Sequence, residues 1–239
     1  MNSSEIQDMI GPRAIASVAD GIELWWCELD RIADESDRLA EWLSSAESAR
    51  AARFGTEKLR RRWIAGRASL RFVLSNALGI APAAVAIRRG VRGRPELIDA
   101  GIALDFNVSH TDGVALIGIS FGDPRHLRIG VDVERSDRGV GFDRLARKFL
   151  TAREQAAIAQ LSADARRPCF LRYWTCKEAM SKATGDGLIA PFRRLDVELE
   201  PRPRLIDGPP PYAPESWELH AAAVPEGFLA TVAVWHCVP

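Results

Sequence analysis

From Thr56 to Leu78 the residues Leu59, Trp63, Gly66, Leu70, Val73 and Ala77 recur on one stripe of a helix, and Gly79 follows as its stop. A helix this long needs another layer to cover that stripe. The second half repeats the theme: Asp164 and Pro168 open a run that continues to about Thr184, with Gly185 and Gly187 behind it. Phe54-Gly55-Thr56 leads into the first long helix and Phe149-Leu150-Thr151 into the helices of the second half. Strands flank the helices in both halves. The expected fold class is therefore α+β, as two similar lobes over residues 1–124 and 125–239, parted at Gly122-Asp123-Pro124.

Strands are expected over 21–29, 85–90, 104–110, 113–121, 127–134, 195–199, 217–223 and 228–238, from apolar runs and period-two alternation. Thr111-Asp112-Gly113 reads as a hairpin turn. Ser44 with Glu47, and Thr151 with Glu154, form capping boxes that open helices through Arg53 and Leu161. Short helices are expected over 34–42 and 142–149. Residues 1–20 read as a loosely held lead-in, and the proline-crowded stretch 202–214 as an exposed loop.

The 32 basic and 32 acidic residues of the 239 balance, so nothing global favours nucleic acid or an anionic membrane, and phosphate recognition has to be local. No apolar run reaches the length of a membrane span. The first residues lack the basic and apolar regions of a signal peptide, and Cys27, Cys169, Cys176 and Cys237 show no metal-binding spacing. A cytoplasmic protein with reduced thiols is expected.

Two short stretches carry the chemistry. Glu178 and Lys182 are four apart in a helical run, with Trp174 one turn earlier, so all three share a face. Asp132 and Glu134, two apart in an apolar strand, also share a face. Glu178 and Lys182 fit a surface ion pair by themselves. With the strand pair beside them, three carboxylates and an ammonium suit a hard divalent cation and a phosphorylated ligand. Arg60, Arg61, Arg62, Arg67 and Arg71 fit either a solvated basic face or contacts to phosphate or an acidic partner. His110 fits a structural role or, with Asn107, Ser109 and Arg94, a set of donors for a phosphate or base edge.

Ile129-Gly130-Val131-Asp132, followed at the family's interval by Trp174-Thr175-Cys176-Lys177-Glu178-Ala179 and then Lys182, resembles the signature pair of the 4′-phosphopantetheinyl transferases, in particular the Sfp-type members. Gly93-Arg94-Pro95 and Asn107-Val108-Ser109-His110 agree with it, so the likeness runs from about Leu43 to Gly187.

The resemblance implies two pseudo-twofold α+β lobes with coenzyme A and magnesium in the cleft between them. It implies transfer of the 4′-phosphopantetheine arm to a serine of an apo acyl- or peptidyl-carrier protein, as in a holo-[acyl-carrier-protein] synthase, releasing adenosine 3′,5′-bisphosphate. By motif match Asp132, Glu134 and Glu178 are the metal-binding carboxylates. Lys182 stands near the pyrophosphate, and Ser109 and His110 at the adenosine end. Arg94 replaces the usual lysine, and Arg50 and Arg89 align with basic cofactor positions. Asp132, Glu178 and Lys182 form the catalytic set, with Asn107 beside the cofactor. The base for the carrier serine is Glu178, a metal-bound water or Glu154. Two lobes in one chain favour a monomer. The alternative is a catalytically silent coenzyme A-binding module.

Overall fold

The computed structural model describes residues 11–90, 92–99, 101–139 and 141–237. The first half forms strands β1 (Arg13–Ile15) and β2 (Ile22–Glu28) and helices α1 (Ser45–Ala51) and α2 (Glu57–Leu78). The short hairpin β3 (Ile87–Arg89) and β4 (Pro95–Leu97) and the long hairpin β5 (Leu104–Thr111) and β6 (Val114–Phe121) follow. The second half forms β7 (Leu127–Arg135), then α3 (Phe142–Phe149), α4 (Ala152–Ala159) and α5 (Ala163–Thr184). It closes with β8 (Asp196–Glu198), β9 (Arg204–Asp207), β10 (Trp217–Ala221) and β11 (Phe228–His236). One sheet has the order β1-β2-β6-β5 and the other β10-β11-β7.

Each long helix ends as its glycine requires, with Gly79 and Gly185 in the left-handed conformation. Helix α2 lays Ile64, Leu70, Phe72 and Leu74 on Phe106, Ile117 and Ile119 of the first sheet. Helix α5 lays Phe170, Tyr173 and Met180 on Leu219 and Ala233 of the second. Between the sheets, Leu24, Trp26 and Leu116 meet Val131, Val133 and Val232. The order of layers is helix, sheet, sheet, helix, and the α+β reading holds.

Five expectations change. Arg13–Ile15, placed in the lead-in, pairs with β2, and residues 1–10 lie outside those described. The single helix over 34–42 is a series of short helical turns across 29–42. The stretch 202–214 contains β9, paired with β8, and it buries Leu205 and Tyr212. On helix α2 Arg71 is buried while Arg60, Arg61, Arg62 and Arg67 stay partly exposed, and Leu59 of the apolar stripe is exposed. The last strand ends at His236, and Val238 lies outside the described residues.

A seam joins the two sheets. Strands β5 and β7 are both edge strands, and unpaired N–H groups buried along β7 would be costly. Side chains of β5 satisfy them at every second residue. Asp105 Oδ2 accepts from Ile129 N at 2.9 Å, Asn107 Oδ1 from Val131 N at 3.0 Å, and Ser109 Oγ from Val133 N at 3.3 Å. Arg94 locks the end of this ladder. Its guanidinium pairs with Asp105 and donates to the carbonyls of Phe106, Ile129 and Lys182.

Candidate active site

Strand β7 presents Gly130, Asp132 and Glu134 on the face that α5 covers. A Cβ on Gly130 would overlap the Ala179 carbonyl oxygen of α5 and stand 2.7 Å from Ala183 N, so the helix backbone rests directly on the glycine. That approach brings Lys182 to Asp132, Nζ to Oδ1 at 2.7 Å. Glu134 is held by Arg138 and, at 3.4 Å, by the Thr111 hydroxyl. Asp132, Glu134, Glu178, Trp174 and Arg138 line one opening of about 710 Å³.

The electrostatics of that opening are strained. Burial first, then Asp132, pushes the Glu178 carboxyl up to about 7 against the pull of Lys182. Burial and Asp132 also raise Glu134, with Arg138 opposing. Asp132 Oδ2 is buried with no hydrogen-bond partner among the described residues. A carboxylate oxygen in that position calls for a cation or proton. Among the described residues no three His, Cys, Asp or Glu side chains already stand at metal-ligating distances. Lys182 and Arg138 hold two of the three acids instead.

A second pocket, of about 340 Å³, adjoins the first at His110, which lines both. Arg50, Arg67 and Arg89 border it. Arg50 and Arg89 are exposed, and Arg67 is aimed by its Nε contact to Glu47. Glu47 is itself fixed by its capping box with Ser44 and by Arg71 Nε at 2.8 Å. The pocket therefore offers several guanidinium edges around one imidazole, a shape suited to phosphate. Surrounding protein, with Lys182 and Arg67 adding to it, lowers the His110 imidazole from its ordinary value, although the residue stays exposed to the two openings, which moderates the effect. Gly66 of α2 makes room for that ring, because a Cβ there would lie 3.1 Å from His110 Nε2.

The structure brings Asp132, Glu134, Glu178 and Lys182 together, with His110, Arg50 and Arg89 next to them. It turns three expected cofactor residues away from the arginine pocket. Arg94 is buried with its two terminal nitrogens engaged in the seam, Asn107 faces β7 rather than a pocket, and Ser109 binds Asp132. Glu154, a candidate base, is fully buried: it accepts from Lys177 Nζ at 2.6 Å and from the Thr151 and Val197 N–H groups. That pair anchors α4 to α5 and has no access to substrate.

The basic face of α2 is mostly committed as well. Arg60 and Arg61 share Glu57, and Arg62 bridges Asp30 and Asp112. Two site residues were missed as such, Arg67 and Arg138. Arg67 was visible only as one of five arginines. Arg138 stands four residues after Glu134 but in a turn, where no helical spacing marks it.

A family model described as the 4′-phosphopantetheinyl transferase superfamily matches residues 128–233, and one described as 4′-phosphopantetheinyl transferase, N-terminal, matches residues 31–120. The chain is similar to the 4′-phosphopantetheinyl transferase HetI of Nostoc sp., 35% identical over 226 residues, which cover 93% of this chain and 91% of that protein. It is also similar to the 4′-phosphopantetheinyl transferase ffp of Bacillus subtilis, 28% identical over 70% of each chain. Among solved structures, holo-[acyl-carrier-protein] synthase of Thermotoga maritima aligns over 46% of this chain and 62% of that one, at 21% identity and a TM-score of 0.37.

Proposed function

This chain belongs to the 4′-phosphopantetheinyl transferase superfamily, and we propose that its reaction runs in the two joined pockets at His110, with coenzyme A lying across them. The phosphopantetheine arm of coenzyme A passes to a serine of an acyl- or peptidyl-carrier protein: the serine oxygen attacks the pyrophosphate phosphorus next to the arm, and adenosine 3′,5′-bisphosphate leaves. The observation that carries the placement is the meeting of Asp132, Glu134, Glu178 and Lys182 at one mouth, beside a pocket walled by arginines.

The donor set fits magnesium, a hard cation that takes carboxylate oxygens and keeps some water. Asp132, with its orphaned Oδ2, Glu134 and Glu178 would hold it. When bound, it would polarise the phosphorus and neutralise charge on the departing phosphate. Lys182 adds positive charge from one turn further along α5. Glu178, directly or through a metal-bound water, is the group placed to take the serine proton; its carboxyl stands at about 7 in the metal-free site and falls when a cation compensates Asp132. Arg50, Arg67 and Arg89 orient the phosphate-bearing nucleotide end.

Purified chain incubated with coenzyme A, magnesium and a panel of apo-carrier proteins is expected to add the mass of the phosphopantetheine arm to at least one of them. Binding of coenzyme A without mass gain on any carrier would instead favour a silent binding module. His110→Ala is expected to weaken coenzyme A about tenfold with little effect on dephospho-coenzyme A, the magnitude of one lost hydrogen bond to a charged group. Equal losses for the two cofactors would remove His110 from the 3′-phosphate.

A further inference from the structure

We infer that Ser109 is a positioning residue for the carboxylate of Asp132, and not a contact of the cofactor's nucleotide end. The inference rests on the reading of Asp132 as a metal-binding acid.

Neighbouring residues of a strand point to opposite faces. On β5, His110 turns toward α2 and lines the arginine pocket, so Ser109 turns toward the seam, where it is 3% exposed. Asp105 and Asn107 occupy the same seam face and are already engaged with β7. The pair Ser109-His110 is thus divided between the two halves of the site by the pleat itself.

The hydroxyl also has no capacity left. A serine offers one O–H donor and two acceptor lone pairs. Lys182 Nζ, at 2.7 Å, and Val133 N, at 3.3 Å, are both donors and take the lone pairs. The single proton therefore goes to the third neighbour, Asp132 Oδ1, at 2.9 Å. A phosphate oxygen needs a donor, and this one is spent on a buried carboxylate. The hydrogen bond fixes the carboxylate plane: Oδ1 is tied to Ser109 and Lys182, and Oδ2 is left as the free ligand atom. Outer partners of this kind set the orientation of a metal's ligands, and their loss typically costs ten- to a hundredfold in affinity.

Two titrations of the full chain test this. Manganese(II), as a paramagnetic stand-in for magnesium, is titrated with coenzyme A saturating. Adenosine 3′,5′-bisphosphate is titrated without metal. Ser109→Ala is expected to weaken manganese about tenfold or more while bisphosphate binding stays within about twofold, and His110→Ala is expected to do the reverse.

Ser109→Cys keeps the side-chain shape, slightly enlarged, with a weaker donor and should show the same split in smaller measure, so a folding defect of the alanine variant does not decide the matter. Asp132→Asn serves as the reference for losing a ligand. Should Asp132→Asn lose manganese while Ser109→Ala and Ser109→Cys keep it, the role of Ser109 is overturned and the metal reading stands. Unchanged manganese affinity in Asp132→Asn overturns both. A larger loss of bisphosphate than of manganese in the Ser109 variants returns Ser109 to the nucleotide end.

Discussion

Gly130→Ala is expected to destabilise the protein by about 4 kcal/mol or more, and to lower kcat by about a hundredfold or more in the molecules that still fold. The cause is backbone, not side chain. The added methyl would overlap the Ala179 carbonyl and crowd Ala183 N, and neither can swing aside as a rotamer does. Relief requires α5 to lift until carbon and oxygen reach ordinary contact near 3.3 Å, a movement of more than about 1 Å. That shift uncouples the buried layer of Phe170, Tyr173 and Met180 from the sheet. It also draws Glu178 and Lys182 away from Asp132, and an ångström of misplacement can cost two orders of magnitude in rate.

Gly139→Ala is the control: an added Cβ there meets nothing within 4 Å, and the change in stability should stay within about 0.5 kcal/mol. Urea unfolding compares the two. A wild-type midpoint for Gly130→Ala would mean that α5 does not rest on β7 as described.

The same glycine shows what could be read from the chain alone. Period-two and period-3.6 spacing are local properties, so the acids of β7 and the Glu178–Lys182 face of α5 were legible as sets before any contact was known. The hairpin at Asp112-Gly113 was legible too, because Gly113 supplies the positive φ, 76°, that its turn demands. The seam was not. Asp105, Asn107 and Ser109 find their partners 24 residues away on another sheet's edge, and no local period announces that a polar side chain will replace a backbone acceptor. Motif spacing alone puts Arg94 and Ser109 at the cofactor and gives no sign of the hydrogen bonds that tie them to the join.

A similar reason hid the division of the α2 arginines. Long aliphatic stems let a guanidinium be buried wherever a carboxylate waits. Glu47, brought in by the capping box of α1, draws Arg67 and Arg71 inward from a stripe that a helical wheel leaves in solvent. Strand β9 went unseen because four residues among prolines have no pattern until β8 pairs with them.

Glu178→Gln is expected to cut turnover by a factor of about a thousand or more with magnesium and coenzyme A saturating, the scale of losing a general base, and at the same time to raise the stability of the metal-free protein. The second effect follows from the first group's surroundings. Burial and Asp132 lift the Glu178 carboxyl from 4.5 to about 7. The folded state therefore holds a proton there that the unfolded chain releases. Stability from this source is full below about pH 4.5 and is lost as pH rises through about 7, amounting to at most about 3 kcal/mol by pH 8.

Glutamine keeps the shape and carries no charge, so it escapes the loss. The melting temperature of Glu178→Gln should exceed that of the wild type by several degrees at pH 8, and the gap should close toward pH 5. Magnesium should reverse the order at pH 8, since a cation compensates the ionised wild-type site and gains little from the amide. Near-normal turnover by the variant would remove Glu178 from the chemistry. A stability gap that stays the same from pH 5 to pH 8 would show that its carboxyl is not held up by Asp132 and burial.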